Sequence, residues 1–371
     1  MTSTCVSRCL AASGVAFALV SLAACKERER TPEQLGTVFE GRAASAAPLG
    51  SAPSPWGRAV PSASASASAS ASSSAAAPSD PAQLALDLSA KRRPRVPGPC
   101  VEAAGEPASV GERPGKRPAC RGAEVLEERA PDGTPRYACL SAPPRLEERT
   151  PLPLVVFFHG ENDNPGMVSR ATRLRELDDE VDLSGDPKRR GFIVLAPQAR
   201  RIGHRLAFDT GHVARENTDA VMTDRFVDVL VRRGFVNEAQ IYAIGASRGG
   251  EMAALWAMLR PDRVAAFAAY GATAQRLRWS CADLEPTPAA IVYRACDGVT
   301  SCLDVEQWLH ARDGARAPTL ALRLGDGTRA EPSCALSETS CKEARSVANH
   351  ERWPKGRERD MLEFLGRYSL R

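Results

Sequence analysis

From Leu152 onward the chain alternates between two hydrophobic patterns. Short, continuously apolar runs recur at Leu154–Phe158, Phe192–Ala196, Ile241–Ile244, Val264–Ala269, Ala289–Arg294 and Thr319–Leu324. Amphipathic stretches with helical spacing lie around them, at Val168–Leu177, Ala220–Arg233, Glu251–Leu259, Leu303–Ala311 and Arg359–Tyr368. Strands apolar on both faces, separated by helices, predict a mostly parallel sheet flanked by helices. Upstream, Glu124–Arg129 and Arg136–Leu140 enclose Pro131-Asp-Gly-Thr, which predicts an N-terminal antiparallel hairpin.

Before Pro97 neither pattern is present. Gly41 to Pro81 is almost all Ala, Ser, Pro and Gly, with strict Ser-Ala alternation from Ser62 to Ala71. Such a segment has too little apolar side chain to offset the entropy of ordering it. Residues 25–97 are therefore expected to be a tether and residues 98–371 the folded domain. The basic run Lys91-Arg-Arg-Pro-Arg95 is expected to be solvated. At the start, Arg8 precedes an apolar core from Cys9 to Leu22 and then Leu22-Ala-Ala-Cys25. That order reads as a secretory signal over residues 1–24. The core is short for a membrane span. The segment resembles a bacterial lipoprotein signal. The resemblance implies that Cys25 is lipidated and anchors the mature protein to a membrane of the cell envelope; plain secretion is the alternative.

Charge and cysteine content narrow the classes further. The formal net charge of +4 is spread among interspersed acids and bases, and aromatics make up only 5%. Neither feature suits nucleic-acid binding. Export makes the cysteines informative. With Cys5 and Cys9 in the signal and Cys25 lipidated, eight remain: Cys100, Cys120, Cys139, Cys281, Cys296, Cys302, Cys334 and Cys341. An even number in an exported chain predicts disulfides. Proximity in sequence suggests Cys296–Cys302 and Cys334–Cys341, and leaves three connectivities for the other four. No Cys-x-x-Cys or His-x-x-x-His spacing occurs, so neither a metal nor a cofactor is expected. A monomer is expected.

The chemistry centres on Ile241-Tyr-Ala-Ile-Gly-Ala-Ser247-Arg-Gly-Gly. An apolar strand runs into Gly-x-Ser-x-Gly and straight on into a helical stretch, the context of a nucleophile elbow. Gly245 and Gly249 are read as positions where a side chain would strike the neighbouring strand or helix. A nucleophilic serine needs a base, an acid and an oxyanion hole. Of five histidines only His310 and His350 follow Ser247. His310 sits mid-helix, whereas His350 lies in a loop before the last helix and is the expected base. Asp297, just past a strand, is the expected acid, with Asp326 as its rival. The oxyanion donors are expected to be the backbone N–H groups of Arg248 and of Glu161 or Asn162, with Glu161 favoured. His159, beside them, is read as structural. The Arg248 side chain has two readings, a salt bridge in the first helical turn or an attractor for a substrate anion.

Together, Phe158-His-Gly160, the elbow, the strand ending at Asp297 and His350-Glu-Arg-Trp-Pro354 resemble the polyhydroxybutyrate depolymerases and feruloyl esterases. The resemblance covers Leu152 to the C-terminus. It implies an α/β-hydrolase fold and a serine esterase that acts on an ester substrate through an acyl-enzyme. This chain departs from the family where Arg294-Ala-Cys-Asp297 replaces the usual His-Gly and Asp, and where one extra residue separates His350 from Trp-Pro. Alternatives are a serine peptidase of the same fold and a hydrolase-like surface module that binds without turnover.

Overall fold

The computed structural model describes residues 91–103, 112–113, 115–325, 334, 341 and 346–371. The proposed signal, Cys25, most of the tether and Asp326 lie outside these residues.

Eight strands form the central sheet: β1 (Glu124–Arg129), β2 (Pro135–Ser141), β3 (Leu152–Phe158), β4 (Ile193–Pro197), β5 (Val236–Ala246), β6 (Ala266–Tyr270), β7 (Ala289–Arg294) and β8 (Thr319–Leu324). Their order across the sheet is β1-β2-β4-β3-β5-β6-β7-β8. β1 and β2 form the antiparallel hairpin, β2 is antiparallel to β4, and the remaining neighbours are parallel. Four main helices pack on it: α1 (Thr218–Arg232), α2 (Arg248–Leu259), α3 (Cys302–Gly314) and α4 (Glu358–Leu365). This strand order, with its leading hairpin and helices on both faces, is the α/β-hydrolase fold.

The reason for two covered faces is visible along β3. Leu154, Val156 and Phe158 enter one core with Phe226 of α1, Trp256 of α2 and Trp308 of α3. Val155 and Phe157 point the other way and meet Met361 and Leu362 of α4. Alternate residues of a strand face opposite sides, so a strand buried on both must be apolar throughout.

Three local expectations change. The stretch 168–177 is two short helices, Met167–Arg170 and Leu174–Leu177. Between them the Thr172 hydroxyl donates to the Val168 carbonyl and accepts the Leu174 N–H, competing with the helical backbone pattern. The last helix ends at Leu365, and Tyr368–Leu370 is a strand. The folded part begins before residue 98, because Lys91–Arg93 pairs in parallel with Tyr368–Leu370. The basic run is thus not wholly solvated. Arg93 is buried and donates to the Val264 and Ala265 carbonyls. Burial, the largest influence on this guanidinium, lowers its pKa to about 10.

Four disulfides join Cys100 to Cys281, Cys120 to Cys139, Cys296 to Cys341 and Cys302 to Cys334. The two local pairings expected from sequence are corrected to nested, longer-range ones, Cys302–Cys334 lying inside the loop closed by Cys296–Cys341. Cys296 and Cys302 diverge because a tight turn lies between them, in which the Asp297 carboxylate accepts the N–H groups of Val299 and Thr300. Ser301 then caps α3, and Cys302 turns inward beside Val305. Four such bonds fit a protein that folds outside the reducing cytoplasm. Among the described residues no helix is long and apolar enough to cross a membrane.

Candidate active site

The site stands at the C-terminal end of the parallel strands. β5 ends at Ala246, α2 begins at Arg248, and Ser247 alone makes the connection. Its φ of 53° and ψ of −125° are strained for a residue with a side chain. The Ser247 N–H holds the bend by donating to the Tyr270 carbonyl at 2.8 Å. The two glycines are required for the reason read from sequence. A Cβ on Gly245 would overlap the Gly249 backbone, and one on Gly249 would overlap the carbonyls of Phe158 and His159.

The expected partners converge on this serine. His350 Nε2 is 2.7 Å from Ser247 Oγ. Its Nδ1 is 2.9 and 3.0 Å from the two Asp297 carboxylate oxygens. His350 and Asp297 are 7% and 4% exposed, so bulk water competes little for these bonds. His350 does not lie in an open loop as expected. It sits in a five-residue helix, Val347–Glu351, capped by the Ser346 side chain. That helix is fixed against Asp297 by a bridge between Asp297 and Ser346, a Gly298 N–H to Ser346 carbonyl bond, and an Asn349 Nδ2 to Cys296 carbonyl bond. From below, the Tyr270 hydroxyl reaches the carbonyls of Asn349 and Arg352, and Arg294 donates to the Tyr270 oxygen at 3.1 Å. Sequence reasoning gave neither Tyr270 nor Arg294 a role: Arg294 entered only as a strand end and as a departure from the family pattern, and Tyr270 fell one residue beyond the expected strand. His310, the rejected alternative, is exposed on α3.

Across from His350 lies the turn after β3. A Cβ on Gly160 would come within 3.8 Å of the Ser247 Cβ, so this backbone flanks the nucleophile. The Asn162 N–H donates to the Leu206 carbonyl at 2.7 Å and is therefore engaged elsewhere. Among the described residues, no acceptor faces the backbone N–H of Glu161 or of Arg248.

His159 fixes the orientation of the Gly160–Glu161 peptide. Its Nε2 accepts the Ala199 N–H at 3.1 Å, which leaves the proton on Nδ1. Nδ1 then donates to the Gly160 carbonyl at 2.8 Å. Gly160 C=O and Glu161 N–H belong to one planar trans peptide and point in opposite directions. Fixing the carbonyl toward His159 turns the N–H the other way. Burial, the largest influence on the ring, lowers its pKa to about 4, so the imidazole is neutral near pH 7 and keeps this tautomer.

The one grouping of potential metal ligands among the described residues is Cys302, Glu306 and Cys334. Its two sulfurs are joined to each other, which leaves a single carboxylate.

No family model matches the sequence, and none of the curated proteins compared with it matches either. Solved structures do. A thermostable esterase aligns at 16% identity and a TM-score of 0.42, over 67% of this chain and 64% of that one, just under two thirds of its length. Esterase 2 of Thermogutta terrifontis, solved as its tabun adduct, aligns at 16% and 0.44 over 67% of this chain and 94% of its own. A ferulic acid esterase aligns at 12% and 0.44 over 56% and 90%. Likenesses this distant do not bear on the chemistry of this chain.

Proposed function

We propose that the protein is a serine hydrolase that cleaves carboxylic esters. The observation that supports it most is the unbroken chain from Ser247 Oγ through His350 to Asp297, on a strained turn beside two backbone N–H groups without acceptors. A strained serine, a buried imidazole and a buried carboxylate each cost stability. A chain that needed only to fold would not bring all three together.

In this reading Ser247 Oγ attacks the ester carbonyl carbon while its proton passes to His350 Nε2. The carbonyl oxygen gains negative charge and accepts hydrogen bonds from the N–H groups of Arg248 and Glu161. Asp297 holds Nδ1–H, fixes the tautomer and stabilises the imidazolium. The tetrahedral intermediate collapses, Nε2 returns the proton to the departing alkoxide, and the alcohol leaves an acyl-Ser247. Water, deprotonated by the same Nε2, attacks the acyl carbon. Collapse releases the acid and restores the serine. No metal or cofactor enters these steps.

The domain is further read as exported and held at a membrane of the cell envelope through lipid on Cys25, acting as a monomer. The signal-like N-terminus and the four disulfides support export. Mass spectrometry of the mature chain tests the anchor by locating its first residue.

The central test is fluorophosphonate labelling followed by hydrolysis of 4-nitrophenyl esters. The probe is expected on Ser247, and Ser247→Ala is expected to lose at least about 10⁴-fold in kcat while keeping its thermal transition. Labelling of another residue, or activity within tenfold of the parent, would overturn the assignment.

A further inference from the structure

One pair of charges beside the nucleophile has no part in the acyl-transfer steps. Arg248 Nη1 lies 2.9 Å from Glu251 Oε2, one helical turn along α2. The Thr210 hydroxyl donates to the same oxygen at 2.8 Å. Arg276 also approaches it, with Nη2 at 3.9 Å, and donates to the Thr210 carbonyl. Two guanidiniums therefore share one carboxylate, leaving a net positive charge. All three side chains reach solvent, at 38% exposure for Arg248, 40% for Arg276 and 24% for Glu251.

Neighbouring acids already have arginine partners. Glu161 is paired with Arg205 at 3.1 Å. Asp209 is engaged by Arg200 at 3.3 Å. The loop that presents Thr210 is fixed from inside the protein. Asp219, at the start of α1, accepts Arg136 and Arg200 at 2.6 and 3.0 Å and the Asp209 N–H at 2.7 Å. Burial alone would raise the Asp219 pKa, but the two arginines outweigh it and hold the carboxyl below its usual range. Arg248 and Arg276 thus share the single Glu251 carboxylate, beside a loop held in place from inside the protein.

The pose of Arg248 is not explained by stability. Its Nε is buried with no acceptor, and an unpaired buried donor is destabilising. The partly exposed pair with Glu251 offsets little of that. Holding this guanidinium one residue from the nucleophile calls for another reason. Resting on the hydrolase reading above, we propose that Arg248 and Arg276 form a subsite for an anionic group of the substrate. The enzyme then favours esters that carry a second, ionised carboxylate. Guanidinium donors directed at a carboxylate suit that role better than a point charge would.

The test compares two matched pairs of aryl esters. Mono-4-nitrophenyl glutarate carries the carboxylate on the acyl side, with methyl 4-nitrophenyl glutarate as its neutral counterpart. 4-Acetoxybenzoate carries it on the alcohol side, with methyl 4-acetoxybenzoate as its neutral counterpart. Each anionic ester is compared with its own neutral partner. Wild-type kcat/KM is expected to be about tenfold higher for one of the two anionic esters, the side of preference identifying the arm that lies over the arginines. The preference should shrink as ionic strength rises. Arg276→Gln should remove it through KM, leave the neutral esters unchanged, and be rescued by Arg276→Lys; Arg276→Glu should invert it. Equal rates on charged and neutral esters in the wild type would overturn the proposal, as would Arg276→Gln lowering both classes alike. Fluorophosphonate labelling in the same preparations separates the two failures. A labelled Ser247 with no charge preference removes only the anion subsite. An unlabelled serine with no ester cleaved removes the hydrolase reading as well.

Discussion

The side of the site that holds the proposed nucleophile and the side that holds its proposed acid and base are built by different means. Ser247 is positioned by its own neighbours in the chain: a strand that ends at Ala246, a helix that starts at Arg248, and glycines on either side where no side chain fits. Asp297 and His350 are 53 residues apart and have no such local frame. They are brought together by the Asp297–Ser346 bridge, by Tyr270 and Arg294 underneath, and by disulfides that run from Cys296 to Cys341 and from Cys302 to Cys334. A local sequence motif can place one reactive atom. Placing its partners takes contacts over a distance, and here part of that is covalent.

The sharpest way to break this comparison is at the partners themselves. His350→Ala is expected to cost at least about 10⁴-fold in kcat, close to the loss at Ser247. Asp297→Asn should cost a similar factor by permitting the wrong tautomer, with the fold intact. His310→Ala should leave turnover unchanged. Equal losses at His310 and His350 would mean that the base has been misplaced.

The next effect is on stability. Cys296→Ser with Cys341→Ser removes a cross-link that closes a 45-residue separation, worth about 4 kcal/mol in the chain-entropy account. Thermal unfolding should register that loss. Activity at low temperature should also fall, because the segment carrying Asp297 is no longer held against the one carrying His350. If stability drops and kcat stays at the parental value, the hydrogen bonds alone hold the pair, and the disulfide serves only the fold.

The smallest effect sharpens the nucleophile side. The His159 pKa is lowered from 6.5 to about 4 by burial, so as pH falls the unfolded chain takes up the proton first. The contribution of this neutral imidazole to stability is full above pH 6.5 and is lost progressively down to about pH 4. The stability advantage of wild type over His159→Gln should therefore shrink by roughly 3 kcal/mol across that window. Chemical denaturation at several pH values measures it. A gap that stays constant would show that His159 is not held neutral in the folded state.

The same division explains what could be read from the sequence. The sheet was legible because strands buried on both faces carry an apolar residue at every position, as in Leu154–Phe158. The elbow was legible because its constraints fall on five consecutive residues. Asp297 and His350 could be nominated from their order after Ser247 and their places beyond a strand and before the last helix, and they lie within hydrogen-bond distance in that order. The disulfide pairing was not, because closeness in sequence says nothing of the turn that points Cys296 and Cys302 apart. The strand Lys91–Arg93 was not legible either. Three basic residues carry no periodic signal, and their strand exists only through Tyr368–Leu370 and the carbonyls that Arg93 caps. Tyr270 and Arg294 were given no role from sequence, and their support of His350 appears only once the chain has folded.

That pairing of Lys91–Arg93 with Tyr368–Leu370 also gives the domain a direction. Arg93 grips the carbonyls of Val264 and Ala265 just before β6, while the far end of β6 receives the Ser247 N–H at Tyr270. The strand Lys91–Arg93 is thus tied to the end of β6 opposite the one that meets the proposed nucleophile. A change at Arg93 would therefore reach Ser247 only along the length of β6, and would be felt first as a loss of register between the two terminal strands.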